Sequence, residues 1–388
     1  MEFALWTYPW DVVDEGPERV AERMRGLGVS EINLATNYHA TQAFLPHNPE
    51  RRTFFALACC FFVPDDRYGR IFPERHPAMQ NPSGEDHNWV EEIAAGLPDE
   101  MGLSSWTVGC HNSLLGSRNP DLAIENAHGD DLLFGLCPSQ PAVQKYMVSL
   151  VGDLADQGHF DRLELETFDY FYGTGFGWHH QKIHAELGPL GEFLFGLCFC
   201  DECRANAADE GVDVEAARET VRETVDAVTA GEVDPDDPEG WLDEHPTVAA
   251  YAEVREGTLA GVFDELADAA GDTELGYYVG APEPGRSWMV GADLQTLGEH
   301  VDYFVAPLYR GSREAVLEGY RTVEENAPDV PLHAGVLPGH PAVEDEETVV
   351  EIVDGLAEAD VPRVSFYNYG LLPEHALDWI EAATDEYR

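Results

Sequence analysis

Glu164 and Glu166 stand two residues apart in FDRLELET, residues 160–167, which reads as a short strand. Side chains two apart on a strand share a face, so both carboxyls point one way while Leu163 and Leu165 point the other. A carboxylic acid at the carboxyl end of such a strand can act as a general acid once burial raises its pKa, and glycoside cleavage then calls for a second carboxylate across the scissile bond. Neighbouring same-face positions on one strand lie about 6.6 Å apart and approach a substrate from one side. The partner of Glu166 is therefore expected from another strand: first Glu283 in YVGAPEPGRSW, then Asp169 in the adjoining loop. Glu164 also reads as a buried acid paired to an arginine such as Arg363. The segment HAGVLPGHP, residues 333–341, offers no carboxylate before Glu344.

The strand runs into a loop that carries Tyr172, Trp178, His179, His180 and Lys182, types that line a polar site of sugar or phosphate size. Lys182 is one of only two lysines in the chain, the other being Lys145. With the histidines it suits a carboxylated sugar such as a uronic acid. Polar groups recur at the tops of the early strands: Tyr38, His39, His47, Asn48, His111 and Asn112. Trp6, Tyr8, Trp10, Trp106, Tyr309 and Tyr367 offer faces for stacking on a sugar, and Asp169 and Arg310 complete the expected substrate-binding set. Their shared location carries this reading, not any one of them.

Cys198, Cys200 and Cys203 form C-F-C-x-x-C. Three closely spaced thiols can hold a structural zinc if Cys59, Cys60, Cys137 or a histidine supplies the fourth ligand. The alternative is a set of free buried thiols, since a second C-x-x-C is missing. A catalytic metal on His39, His111, His179 or His180 with Glu166 has no H-E-x-x-H spacing behind it. Catalysis is expected to need no cofactor.

These groups require a scaffold that brings strand ends together. Strands are predicted over Phe3–Thr7, Glu31–Thr36, Leu103–Val108, Arg162–Thr167, Glu274–Val279, Val301–Ala306, Pro331–Val336 and Arg363–Tyr367. Helical patterns fall between them, over Pro17–Leu27, Ser312–Asn326, Glu346–Ala359 and Glu374–Ala382 among others. Such alternation predicts an α/β fold, a (β/α)8 TIM barrel occupying 1–388 as one domain, and no G-x-G-x-x-G follows the first strand to favour an open sheet. Insertions of about 38–84, 110–136 and 169–246 follow strands 2, 3 and 4, at the barrel end where active sites sit. Within the last, 232–246 reads as an exposed connection.

Seventy-four acids against twenty-two bases give a net charge of -52 and a pI near 4.3. That charge repels nucleic acid and anionic membranes, so neither is an expected partner. The acids are dispersed and 44% of residues are hydrophobic, which indicates a folded chain. Adaptation to molar salt explains the excess, because at ~1 M salt the Debye length is about 3 Å and self-repulsion is screened. No apolar stretch is long enough to span a membrane. The first residues, MEFALWTYPW, lack a basic secretory region, so a cytoplasmic location is expected, with the seven cysteines as thiols or metal ligands.

WTYPWD, ATNYHATQAFLPHNPERR, WTVGCHN, LELETFDYFYG with its HHQK, and GLCFCDECR together resemble a little-characterised group of bacterial and archaeal proteins related to (β/α)8 glycoside hydrolases. The likeness covers roughly the first 205 residues, and the charge marks a halophilic archaeal member. It implies a barrel that acts on or binds carbohydrate, with the Glu164/Glu166 strand and the Tyr38-His39 and His111-Asn112 loops at the site. The leading expectation is an intracellular glycoside hydrolase acting on a small carbohydrate, with Glu166 as acid/base and Glu283 as nucleophile. The alternatives are a sugar lyase, isomerase or epimerase with Glu166 as base, and a non-catalytic carbohydrate-binding barrel. A homo-oligomer is compatible with each.

Overall fold

The computed structural model describes residues 1–79, 87–171, 183–234, 236–279, 284–327 and 330–388. Eight parallel strands form the centre: β1 (Glu2–Thr7), β2 (Glu31–Tyr38), β3 (Gly102–Val108), β4 (Arg162–Glu166), β5 (Glu274–Tyr278), β6 (Tyr303–Pro307), β7 (Leu332–Val336) and β8 (Arg363–Phe366). Leu5 of β1 lies opposite Phe366 of β8 on one side and Ile32 of β2 on the other, which closes the sheet into a barrel. Every residue of β2 is buried, as expected of a strand covered on both faces. All eight strands lie where the sequence predicts them.

Helices surround the barrel, and local chemistry sets their ends. Pro17, Pro141 and Pro246 open helices Pro17–Gly26, Pro141–Gln157 and Pro246–Ala270 at a position where no backbone donor is needed. Ser312 and Asp345 cap helices Arg313–Asn326 and Glu346–Glu358 by accepting from the Ala315 and Thr348 amides. Apolar residues between the barrel and this ring make the largest core, with Leu150, Leu163, Phe304 and Ile380 among those fully buried.

The three insertions elaborate the carboxyl end. After β2 comes a hairpin, Thr41–Phe44 with Thr53–Ala56, and then Cys59–Cys60 pairs antiparallel with the end of β2. After β3 a second hairpin pairs Ala123–Glu125 with Asp131–Leu136. After β4, helices Gly188–Gly196, Asp201–Asp209 and Val214–Thr229 gather around their own apolar cluster, which includes Leu190, Phe193, Val221 and Tyr251. The expected connection at 232–246 is corrected here, because it contains the helix Pro238–Glu244. Asp237 caps that helix through the Gly240 amide, and proline holds its first position, so two local signals outweigh the acidic composition.

The barrel interior is polar at its base. Glu31 of β2 receives Arg162 of β4 at 2.5 Å and Arg363 of β8 at 2.7 Å. Arg363 also donates to the Asn33 side-chain carbonyl at 2.7 Å and stands 3.7 Å from Glu164. Above this layer the interior turns aromatic, with Trp6, Tyr8, Tyr38, Trp106 and Tyr278 packed together. A Cβ at Gly335 would lie 2.6 Å from the Trp6 ring, so β7 yields its interior place to an indole from β1.

Candidate active site

The two glutamates of β4 occupy different layers. Glu164 is fully buried. It accepts hydrogen bonds from Asn33 at 2.9 Å, from Tyr303 at 3.3 Å and from the Tyr278 hydroxyl, with Arg363 beside it. Burial raises its pKa while Arg363 opposes the rise. Direct contact with a substrate is closed to a carboxyl enclosed in this way, so the structure puts Glu164 in the arginine-paired role and not the catalytic one.

Glu166, at the last position of β4, is half-buried and opens toward the carboxyl end of the barrel. Register places it opposite Val108 of β3, and the indole N–H of Trp106 reaches it across that strand pair. Burial pushes its pKa up to about 7, against the Trp106 hydrogen bond, which favours the charged form. Thr167 follows with φ 54°, an unusual conformation for a β-branched residue. Its carbonyl accepts from the Cys110 amide at 2.7 Å, while the Glu166 carbonyl accepts from Gly109 at 2.9 Å. The turn after Glu166 is thus tied to the loop leaving β3.

Three phenols converge beside this carboxyl. The Tyr8 hydroxyl lies 3.0 Å from those of Tyr38 and Tyr367, which are 3.4 Å from each other. The Tyr309 ring lies 5.4 Å from that of Tyr367. Burial is the main cause of the raised pKa of all four, and the Glu166 charge adds to each, which places them within its field. They are neutral donors and acceptors at ordinary pH. The His39 ring lies tilted against Tyr38 at 4.1 Å and stacks on His111 at 4.5 Å, and His111 stacks on Phe171 at 4.3 Å, extending the aromatic wall toward the loop after β4. Arg310 is exposed next to Tyr309 and has no acidic partner among the described residues.

Several expected ligands are spent elsewhere. The His47 side chain is 3% exposed, bonds the Tyr369 carbonyl at 2.8 Å and stands 3.3 Å from Glu15. Asn48 donates to Asp11 at 3.0 Å and Asp14 at 3.1 Å. Both fasten the loop after β2 to the first helix, Pro9–Glu15. Asn112 caps helix Ser113–Arg118 through the Leu115 amide at 2.9 Å. Asp169 is 1% exposed and accepts from Tyr277, whose ring packs against Phe263 outside the barrel, so its carboxyl lies between barrel and helices. These four are corrected from substrate contacts to fastenings of the wall. Glu283, Tyr172, His179, His180 and Lys182 lie outside the described residues. Tyr8, at the centre of the phenol cluster, was legible as one of several aromatics following β1, but nothing in the sequence pairs it with Tyr38 and Tyr367.

The cysteine motif gains its fourth member from the chain between β3 and β4. Cys137 Sγ lies 3.5 Å from Cys203, 3.6 Å from Cys198 and 3.7 Å from Cys200, and all four sulfurs are buried within 4.8 Å of one another. These separations are too long for disulfides. They match tetrahedral zinc, for which sulfurs about 2.3 Å from the metal stand about 3.8 Å apart. Cys203 also lies 3.2 Å from the Ser139 hydroxyl.

No family model matches the chain, and no curated protein matches it by sequence. Among solved structures it is similar to the β-galactosidase of Bacillus circulans sp. alkalophilus, with TM-score 0.58 and 12% identity over 100% of this chain and 55% of that one. It is similar also to the β-galactosidase of psychrophilic Marinomonas ef1, with TM-score 0.57 and 10% identity over 100% of this chain and 59% of that one. The cold-adapted enzyme of Rahnella sp. R3 aligns with TM-score 0.55 and 9% identity over 99% and 56% of the two chains. The chain thus spans less than two thirds of the length of these enzymes, and what it shares with them is the fold: a (β/α)8 barrel of the kind that glycoside hydrolases use.

Proposed function

We propose that this protein is a glycoside hydrolase in which Glu166 is the general acid/base. The observation that carries the reading is the position of Glu166: the half-buried acid at the carboxyl end of β4, held near pKa 7 by burial and aimed by Trp106 among the phenols. An acid with that pKa is part protonated near neutrality, as donation of a proton to a leaving-group oxygen requires. The fold shared with β-galactosidases favours hydrolysis over a lyase or epimerase reaction, for which the same carboxyl would serve as base. Glu283, five residues beyond the end of β5, is the proposed second carboxylate. Tyr8, Tyr38, Tyr309 and Tyr367 would hydrogen-bond and stack on the sugar, and Arg310 with Lys182 would receive a carboxylate on it.

We further propose a structural zinc held by Cys137, Cys198, Cys200 and Cys203, which would pin the helical insertion to the barrel. The test of the main reading is a panel of neutral and uronic aryl glycosides offered to the wild type and to Glu166→Gln in molar salt. Release of the aglycone with a saturated reducing sugar, lost in the variant, supports it. An unsaturated product would move the assignment to a lyase, and equal turnover by the variant would overturn the role of Glu166.

A further inference from the structure

A cavity of about 520 Å³ opens where the segments after β6, β7 and β8 meet the last helix, Glu374–Thr384. Tyr309 and Tyr367 form its wall toward the barrel. Tyr367 is also a member of the phenol cluster and lies in the field of Glu166, so this ring is shared by the cavity and the candidate site. Its size lies in the range that holds a small organic group.

The lining discriminates between chemical classes. Leu337, Leu371 and Trp379 are only half-buried here, whereas Leu356, Leu377 and Ile380 of the nearby core are 0–1% exposed. Apolar surface left against water in this way forfeits about 25 cal/mol per Å² that an apolar occupant would recover. Apart from the Tyr309 and Tyr367 phenols on the barrel side, the titratable side chains at the cavity are His340, Glu344 and His375, and all three are exposed. A second sugar ring would bring several hydroxyls against Leu337, Leu371 and Trp379, away from the two phenols, and each one buried there without a partner would cost about 1–3 kcal/mol. An aromatic or alkyl group would bring none.

We infer that this cavity is the leaving-group site for an apolar aglycone, so that the substrates are aryl or alkyl glycosides whose sugar lies beside Glu166 and the phenol cluster. The inference rests on the Glu166 reading for its chemistry and on the cavity for its selectivity. Proton donation by Glu166 releases the aglycone as a neutral alcohol or phenol, and water supplies the hydroxyl that completes the sugar.

The experiment has two arms, both on the full chain, with the wild type, Leu371→Asp and His375→Trp. The second variant fills the cavity from an exposed position, so the test survives if the first fails to fold. In the binding arm 4-nitrophenol is titrated by calorimetry. Saturable binding with a dissociation constant on the order of 1 mM, weakened at least tenfold in the variants, supports the cavity site. No saturable binding, or binding unchanged in the variants, overturns it. In the turnover arm, kcat/KM for a 4-nitrophenyl glycoside should exceed that for the methyl glycoside of the same sugar by more than the variants retain. An aryl preference that the variants leave intact overturns the inference. The binding arm reads the cavity without turnover, so failure of the Glu166 reading is recognised separately, as 4-nitrophenol binding in a chain that hydrolyses no glycoside.

Discussion

The indole N–H of Trp106 donates to the carboxyl of Glu166 across the β3–β4 pair, and this hydrogen bond opposes the burial that pushes the acid up to about 7. A donor to the charged form lowers a carboxyl pKa, so its removal must raise it. Trp106→Phe keeps an aromatic ring, though a smaller one, and deletes the donor. The limb of the pH–activity profile assigned to Glu166 should move to higher pH by about half a unit to one unit, a range typical of one hydrogen bond worth ~1 kcal/mol. A limb that stays in place in this variant would mean that another group titrates there.

The same burial makes Glu166 a cost to stability above neutrality. Its folded-state pKa of about 7 exceeds the ordinary 4.5. Between those values the folded protein binds more protons than the unfolded chain, and stability falls as pH rises through the window. Glu166→Gln removes the ionisation. Thermal unfolding should be near that of the wild type at pH 5 and shifted upward at pH 8, while kcat/KM drops by about 10²–10⁴. Loss of activity together with loss of stability at both pH values would instead mark Glu166 as a structural residue.

What the sequence discloses divides by the range of the interactions concerned. Each barrel strand is an apolar or, as in RLELE, an alternating run bounded by turn residues, and these are local signals, so all eight are legible. The exchange of roles within LELE is not local. Glu164 is committed by Arg363, Tyr278 and Asn33, which arrive from three other strands. His47 and Asn48 look like ligands because polar residues at strand tops often are, yet Asp11 and Glu15 claim them from a helix more than thirty residues earlier. Cys137 could be named only as one of several fourth ligands, because the C-F-C-x-x-C spacing specifies three positions and the fold supplies the last.

Arg363 should prove structural, in contrast to the catalytic role proposed for Glu166. It is 1% exposed and stands against Glu31 and Glu164 together. Deleting one partner of a buried ionic group strands the others, at a cost of about 3–5 kcal/mol. Arg363→Met should lower the urea midpoint by a corresponding amount, whereas Glu166→Gln leaves it unchanged or higher. An Arg363→Met protein as stable as the wild type would show that the interior acids take up protons without penalty.

Asp11, on the helix that follows Tyr8, offers a second pH-dependent element. It is fully buried, and its carboxyl, held by Asn48, is pushed up to about 7, chiefly by burial. Its folded-state pKa is raised, so its contribution to stability declines as pH climbs from about 4 to above 7. Asp11→Asn retains an acceptor for Asn48 and removes the charge. It should stabilise at both pH values, by something on the order of 2–4 kcal/mol more at pH 8 than at pH 5, read as a difference in urea midpoint between the two. Equal effects at both would place the ionisation of Asp11 outside this range.

Cys137 decides between a metal centre and a packed cluster of thiols. Four sulfurs within 4.8 Å, all buried, are compatible with either chemistry, but the two differ in what a conservative change does. In a thiol cluster, Cys137→Ser exchanges one small weakly polar side chain for another and should cost about 1–2 kcal/mol. In a zinc site it removes a ligand whose binding energy is part of the folding energy. Cys137→Ser would then lose the metal, loosen the insertion helices Gly188–Gly196 and Asp201–Asp209 and expose them to proteolysis, with the barrel strands still protected. Metal analysis of the purified chain should find about one zinc per molecule, absent from Cys137→Ser and from Cys200→Ser alike. A metal-free wild type with the same protease resistance as both variants would leave the four cysteines as buried thiols, with the insertion held by its apolar cluster around Leu190 and Tyr251.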